Sequence, residues 1–329
     1  TLIHWHELQP KKGIRIEYME LFRFKKDIPF MKLGKITTLI SLFTFLFSIF
    51  CLSYYHLNLS VEFTGGTLME VGFSKPAHLD VVRKKIEQLH LGSSQVQTAG
   101  NSKTVLIRLQ KGAHLKSETL SNEVATQLKS IDPNLKVNST EFIGPQVGKE
   151  LVTNGLLALA MVCVGIIIYL AIRFEWRFAV SALLANMHDV VVILGCFSFF
   201  QWEFSLTTLA GVLAVLGYSV NEAVVIFDRI RENFKKPEMR SASVPQVIDN
   251  AITETMSRTV ITHGSTEAMV LSMFLFGGEA LHSFSMALTI GILFGIYSSI
   301  FVGSPLLLLF GLNRELLARK NSKKEEIVV

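Results

Sequence analysis

Six apolar runs set the rhythm of the chain, at 36–55, 155–172, 178–200, 204–227, 260–276 and 284–310. A helix needs about 20 mostly apolar residues to cross a hydrocarbon core of roughly 30 Å, so each run predicts a transmembrane helix. The stretch between the first two runs reads differently. Residues 57–73 are rich in β-formers and broken by Gly65 and Gly66, the pattern of a long strand with a bulge or kink. Pro76 then opens a helix over 77–90 that lines Leu79, Val82, Ile86 and Leu89 along one face. Segments 94–98 and 103–109 flank Gly100 and Asn101 as a hairpin, 115–131 is a second amphipathic helix, and 135–143 a last strand.

The order β-α-β-β-α-β is the ferredoxin-like signature. The predicted fold class is a polytopic α-helical membrane protein: six transmembrane helices plus a ferredoxin-like α+β extracytoplasmic domain between the first and second. The expected division is a cytoplasmic segment 1–35, a first transmembrane helix 36–56, a periplasmic domain 57–150, a five-helix bundle 151–310 and a cytoplasmic tail 311–329. Residues 243–256 form a polar-apolar helix leading straight into the fifth span, and 321–329 read as charged and disordered.

Composition agrees with this picture. Half of the residues are apolar and the mean hydropathy is +0.40, too apolar for a soluble enzyme of this length. Orientation follows from where Lys and Arg fall. Arg23, Lys25, Lys26, Lys32 and Lys35 precede the first span, and Arg173 and Arg177 separate the second from the third. Arg229, Arg231, Lys235, Lys236 and Arg240 separate the fourth from the fifth, and Arg314, Arg319, Lys320, Lys323 and Lys324 follow the sixth. All four groups fall on one side, while the short loops opposite carry Glu203 and Glu279, so both termini are expected in the cytoplasm. No signal-peptidase pattern follows the first run, which therefore reads as a retained anchor. The first residue is Thr, and Met19 or Met31 is an expected initiator.

The same basic clusters flank membrane spans without interleaved aromatics, which favours contact with anionic membrane lipid over nucleic acid. Cys51, Cys163 and Cys196 lie within spans and make neither a disulfide framework nor a metal-ligand spacing. The sequence holds no nucleophile elbow, Walker loop or dinucleotide fingerprint, so no catalytic residue and no cofactor is expected, and the protein reads as a non-enzyme driven by a gradient.

Ionisable residues inside the spans are the first places to look for function, because each costs roughly 2.5 to 3.5 kcal/mol at a helix centre on insertion scales. Tyr218 and Glu222 share one face of the fourth span, next to Asn221. The fifth span carries Arg258, Thr262 and Ser265 or Thr266 as a polar stripe, and Arg258 enters at about the depth of Glu222. A Glu222–Arg258 pair is expected, either as a proton-gated switch or as a static pair that fixes packing. His188 and Asp189 sit near the middle of the third span and either extend a proton route or pack against polar neighbours. His263 and Glu267, at i and i+4, are too few ligands for a metal site, and a local hydrogen bond between them is expected.

Several blocks together resemble the SecF family, the smaller partner in SecDF preprotein-translocation complexes. They are Phe63-Thr64-Gly65-Gly66-Thr67, Arg173-Phe174-Glu175-Trp176-Arg177-Phe178, His188-Asp189, Gly217-Tyr218-Ser219-Val220-Asn221-Glu222 and Phe227-Asp228-Arg229-Ile230-Arg231-Glu232-Asn233. Ser257-Arg258-Thr259, Leu275-Phe276-Gly277-Gly278-Glu279 and Tyr297-Ser298-Ser299-Ile300-Phe301 complete the series. The resemblance implies one half of a resistance-nodulation-division transporter and a complex with SecD and the SecYEG channel. In that complex proton flow moves extracytoplasmic domains that act on a translocating preprotein. It further implies that Glu222 and Arg258 belong to the proton path.

The chain departs from the family pattern where Glu222 and Glu62 stand in place of the usual Asp, and where His263 and Glu267 occupy positions ordinarily small-polar or apolar. Two other classes remain open: a passive scaffold for SecD or the channel, and a homodimeric exporter of small molecules. The coupling ion, proton or sodium, is not readable from the residues.

Overall fold

The computed structural model describes residues 26–89, 94–99, 101–110 and 117–313. The proposed initiator Met19, the basic residues Arg23 and Lys25, the hairpin residue Gly100 and the charged tail lie outside them. Five helices are long and apolar enough to cross a membrane among the described residues: Gly34–Tyr54, Pro145–Arg173, Trp176–Phe199, Leu206–Asn233 and Leu281–Leu309. We label Gly34–Tyr54 α1, Pro145–Arg173 α5, Trp176–Phe199 α6 and Leu206–Asn233 α7, with α2 to α4, which lie between α1 and α5, described below.

The expected fifth span lies in α8, Val244–Phe276, a single helix of 33 residues. Asp249, Glu254, Arg258, His263 and Glu267 recur along it, which makes it more polar than the other five. The amphipathic segment and the span after it are thus one continuous helix, opened by a capping box of Ser243 and Gln246. The last expected span is not one regular helix. Helix α9, Gly278–Ser298, runs into a π-helical turn at Ser299–Gly303 before α10, Ser304–Leu309. Ser304 sits at that turn and its hydroxyl donates to the Ser299 carbonyl at 3.1 Å, a five-residue reach that an α-helical register does not give.

Small residues let the bundle close. A Cβ on Gly291 of α9 would stand 2.2 Å from the Val215 side chain of α7, and one on Gly195 of α6 would stand 2.3 Å from Ser48 of α1. Helices in lipid associate through such close approach. Helices α1 and α5 instead turn their Leu, Ile and Phe side chains outward: only 22% and 11% of their apolar windows are buried, against 61% for α6.

Between α1 and α5 lies a four-stranded antiparallel sheet of β2 (Gly66–Gly72), β3 (Ser94–Ala99), β4 (Asn101–Gln110) and β5 (Lys136–Ile143), in spatial order β3-β4-β2-β5. Helices α3 (Leu79–Glu87) and α4 (Ser117–Lys129) connect β2 to β3 and β4 to β5. Alternation along β2 and β4 points Met69, Val71, Val105, Ile107 and Leu109 at Val82, Ile86, Val124 and Leu128 of the helices. Each such side chain contributes about 1.5–3 kcal/mol on burial.

Residues 57–73 are not one strand. Asn58–Leu59 forms β1, Val61–Thr64 makes one helical turn, α2, and the chain turns through Gly65 at φ +74° into Gly66 at φ +150°, the first residue of β2. β-propensity misreads this stretch because tertiary contacts decide it. Phe63 is buried against Phe204 in the bundle, and a Cβ on Gly66 would meet the Leu109 carbonyl at 2.5 Å. β1 pairs in parallel with β6, Glu203–Phe204, just ahead of α7.

Candidate functional site

Helix α7 carries the site and is held at both ends. At its start Ser205 forms a capping box with Thr208, and the Glu62 carboxylate accepts the Leu206 amide at 2.6 Å. An acid there also meets the positive end of the helix dipole, an interaction worth about 0.3–1 kcal/mol at exposed sites. Arg108 breaks the alternation of β4: it is buried on the face opposite the sheet's core, where it bridges Glu203. The domain of the four-stranded sheet is therefore fastened to the residues that lead into α7. At the far end Asp228 bridges Arg173 at 2.5 Å and Arg231 at 3.5 Å, and Arg229 pairs with Glu232 and Glu254.

Glu222 lies between these ends, 5% exposed, and faces α8. Its carboxylate accepts the Thr259 hydroxyl at 2.5 Å and meets Nε2 of His263 at 3.1 Å. Tyr218, one turn earlier, sets its ring edge-on to His263 with centroids 4.8 Å apart. Its hydroxyl lies 3.3 Å from the Thr262 carbonyl and 3.2 Å from the Thr266 hydroxyl.

The expected Glu222–Arg258 pair is not made. Thr255, Thr259 and His263 recur every four residues and share the buried face of α8, whereas Arg258, Thr262 and Ser265 lie on an exposed one. Arg258 instead lines an open polar recess of about 350 Å³ with Asn221, Asp228, Arg229, Glu232 and Glu254. Asn221 is likewise exposed and does not join Glu222; the Thr262 hydroxyl folds back onto the carbonyls of Arg258 and Thr259. The expected His263–Glu267 bond is also replaced, because His263 turns Nε2 to Glu222. The signal for this was the Thr259 and His263 spacing, outweighed in the sequence by the formal charge of Arg258.

Asp189 is fully buried where three helices meet. It accepts the hydroxyls of Ser219 on α7 at 2.7 Å and Ser298 on α9 at 2.8 Å, with Nδ1 of His188 at 3.4 Å. The His188 ring stacks on Phe45 of α1, centroids 6.1 Å apart. Ser219 precedes Glu222 by three residues, so the two carboxylates flank one turn of α7. Among the described residues no group of three or more His, Cys, Asp or Glu is placed to hold a metal ion.

Comparison with known proteins identifies the family. Residues 123–313 match the family described as protein export membrane protein SecD/SecF, C-terminal, and residues 55–77 the SecD/SecF GG motif, the segment that holds Glu62, Gly65 and Gly66. The protein translocase subunit SecF of Vibrio alginolyticus is 41% identical over 93% of this chain and 97% of its own length. The Haemophilus influenzae subunit SecF is 38% identical over 90% of each chain. The crystal structure of SecDF from Thermus thermophilus, a translocon-associated membrane protein, superposes with a TM-score of 0.78 at 30% identity over 87% of this chain. The match covers 39% of that SecDF chain, so this protein spans about two fifths of it. The chain belongs to the SecF family of protein translocase subunits.

Proposed function

We propose that this chain is the SecF half of a SecDF-type complex and uses the proton-motive force to assist preprotein translocation through the SecYEG channel. One observation carries the reading: a carboxylate, Glu222, is buried within an apolar helix, held by a hydroxyl and an imidazole instead of a fixed cation. A carboxylate so held is open to gaining and losing a proton, and each charge moved through 100 mV is worth about 2.3 kcal/mol.

In this reading α8 is the sixth membrane span, beside α7 and α9. Both termini are cytoplasmic, in keeping with the Lys and Arg clusters, and the sheet between α1 and α5 is a periplasmic ferredoxin-like domain. SecD occupies the other half of the transporter, the basic flanks rest on anionic lipid, and the protein catalyses no covalent step.

The test is preprotein translocation into inverted membrane vesicles containing this chain with its SecD partner. Glu222→Gln removes the gradient-dependent stimulation while both proteins assemble at equal levels. Unchanged stimulation would favour a passive scaffold instead.

A further inference from the structure

The helix face that meets Glu222 continues past it. Thr255, Thr259, His263 and Glu267 recur every four residues along α8; the first three are buried and Glu267 half-buried. Two of their atoms are buried without a hydrogen-bond partner: Nδ1 of His263 and Oε2 of Glu267. They belong to residues one turn apart, a spacing at which side chains on a helix meet. The imidazole thus has one ring nitrogen on a carboxylate and the other unpartnered, with a second carboxylate on the next turn.

A neutral imidazole has one N–H donor and one acceptor; the imidazolium has two donors. We propose that His263 is the proton-holding residue of the Glu222 site, loaded as an imidazolium that donates from Nε2 to Glu222 and from Nδ1 to Glu267. The inference rests on the reading of Glu222 as part of the coupling site and assigns the proton to a different residue. Loading adds one proton to the ring and breaks no covalent bond; unloading returns a neutral imidazole between two carboxylates.

The remaining groups around the ring leave it this role. From α7 come Glu222 and Tyr218, the latter edge-on to the ring. Asp189 of α6 is engaged by Ser219 and Ser298 one turn away. On α9, Tyr297 bonds to Ser41 and Thr37, and His282 stacks on Phe274. Arg258 lies on a different, exposed face of α8. Two carboxylates and one titratable ring therefore share a buried site with no permanent cation on that face.

The experiment uses the full chain with its SecD partner in membranes, comparing Glu222→Gln, His263→Gln and Glu267→Gln over a range of pH. Assembly is checked by co-purification. His263→Gln is expected to lower gradient-dependent stimulation by about tenfold or more and to flatten its pH profile, and Glu267→Gln to displace that profile. In the wild-type chain, nitrogen-15 histidine spectra are expected to show His263 passing from one protonated ring nitrogen to two as pH falls.

Loss of stimulation in Glu222→Gln alone, with His263→Gln keeping the wild-type level and profile, overturns this inference and leaves the coupling reading standing. A His263 ring that stays neutral throughout overturns it even where the substituted chains fail to fold. Full stimulation in Glu222→Gln removes the coupling reading and this inference with it.

Discussion

Asp189 and Glu222 are both carboxylates inside the bundle, one turn of α7 apart, yet their surroundings differ in kind. Asp189 accepts two hydroxyls from two different helices, at 2.7 and 2.8 Å, and so ties α6, α7 and α9 at one point, with the imidazole of its own neighbour His188 farther off at 3.4 Å. Glu222 accepts one hydroxyl and faces an imidazole, both from α8. Hydroxyl donors satisfy an ionised acid and hold it still, whereas a ring that binds and releases protons makes the charge of its site variable. Both acids are buried and both have an imidazole nearby, but at Asp189 it stands at 3.4 Å behind two hydroxyls and at Glu222 at 3.1 Å beside one.

Substitutions that keep shape and remove ionisation divide the two sites most sharply. Glu222→Gln abolishes gradient-dependent translocation, while Asp189→Asn keeps most of it, as read in inverted vesicles. An Asp189 variant as defective as Glu222→Gln at equal assembly would erase the distinction.

Stability sharpens it from the other side. Asp189→Ala strands the Ser219 hydroxyl and leaves Ser298 only its bond to the Gly295 carbonyl, and is expected to lower stability by about 1 to 3 kcal/mol, seen as a fall in the thermal midpoint of the purified complex. Tyr218→Phe keeps the ring edge on His263 and removes one hydroxyl, lowering stability by about 1 kcal/mol.

In the sheet domain, away from the long apolar helices, Asp132 supplies a reference for a carboxylate held chiefly by hydroxyl and amide donors. Ser74 donates to it from both side chain and backbone at 2.6 Å, which holds its carboxyl below the usual range. A lowered value means that the folded state releases this proton more readily than the unfolded chain. Its contribution is present above the ordinary aspartate value and is lost as pH falls through the lowered one. Hydrogen exchange at the Ser74 amide, corrected for its intrinsic pH dependence, is expected to rise over that acidic range, and Asp132→Asn to remove the change.

Apolar runs made the helices legible, and alternation made the sheet legible, because both patterns are set locally by which face is buried. The turn at Val61–Thr64 was not: its residues are β-formers, and what bends them is the contact of Phe63 with Phe204 and of Glu62 with Leu206. The site was half legible. Glu222 stood out as an acid within an apolar run, but its partner depends on which stripe of α8 turns inward. Arg258 and His263 are five residues apart, roughly 140° around a helix of 3.6 residues per turn, so only one of them can face Glu222. A formal charge drew attention to the exposed stripe, and the buried one is built from hydroxyls and an imidazole.

The fastening of α7 has a mechanical consequence. Glu222 stands 16 residues from Leu206, roughly 24 Å at 1.5 Å per residue, and beyond Leu206 the Glu62 contact, the β1–β6 pairing and the Arg108–Glu203 bridge grip the sheet domain. A rod gripped in this way transmits thrust without amplifying travel. One proton falling through 100 mV, spent over one helical turn of about 5.4 Å, corresponds to a force of roughly 30 pN. In the proposed proton-coupled cycle, stroke length and force at the domain would be exchanged one for the other, and a longer pull on a client chain would require more protons.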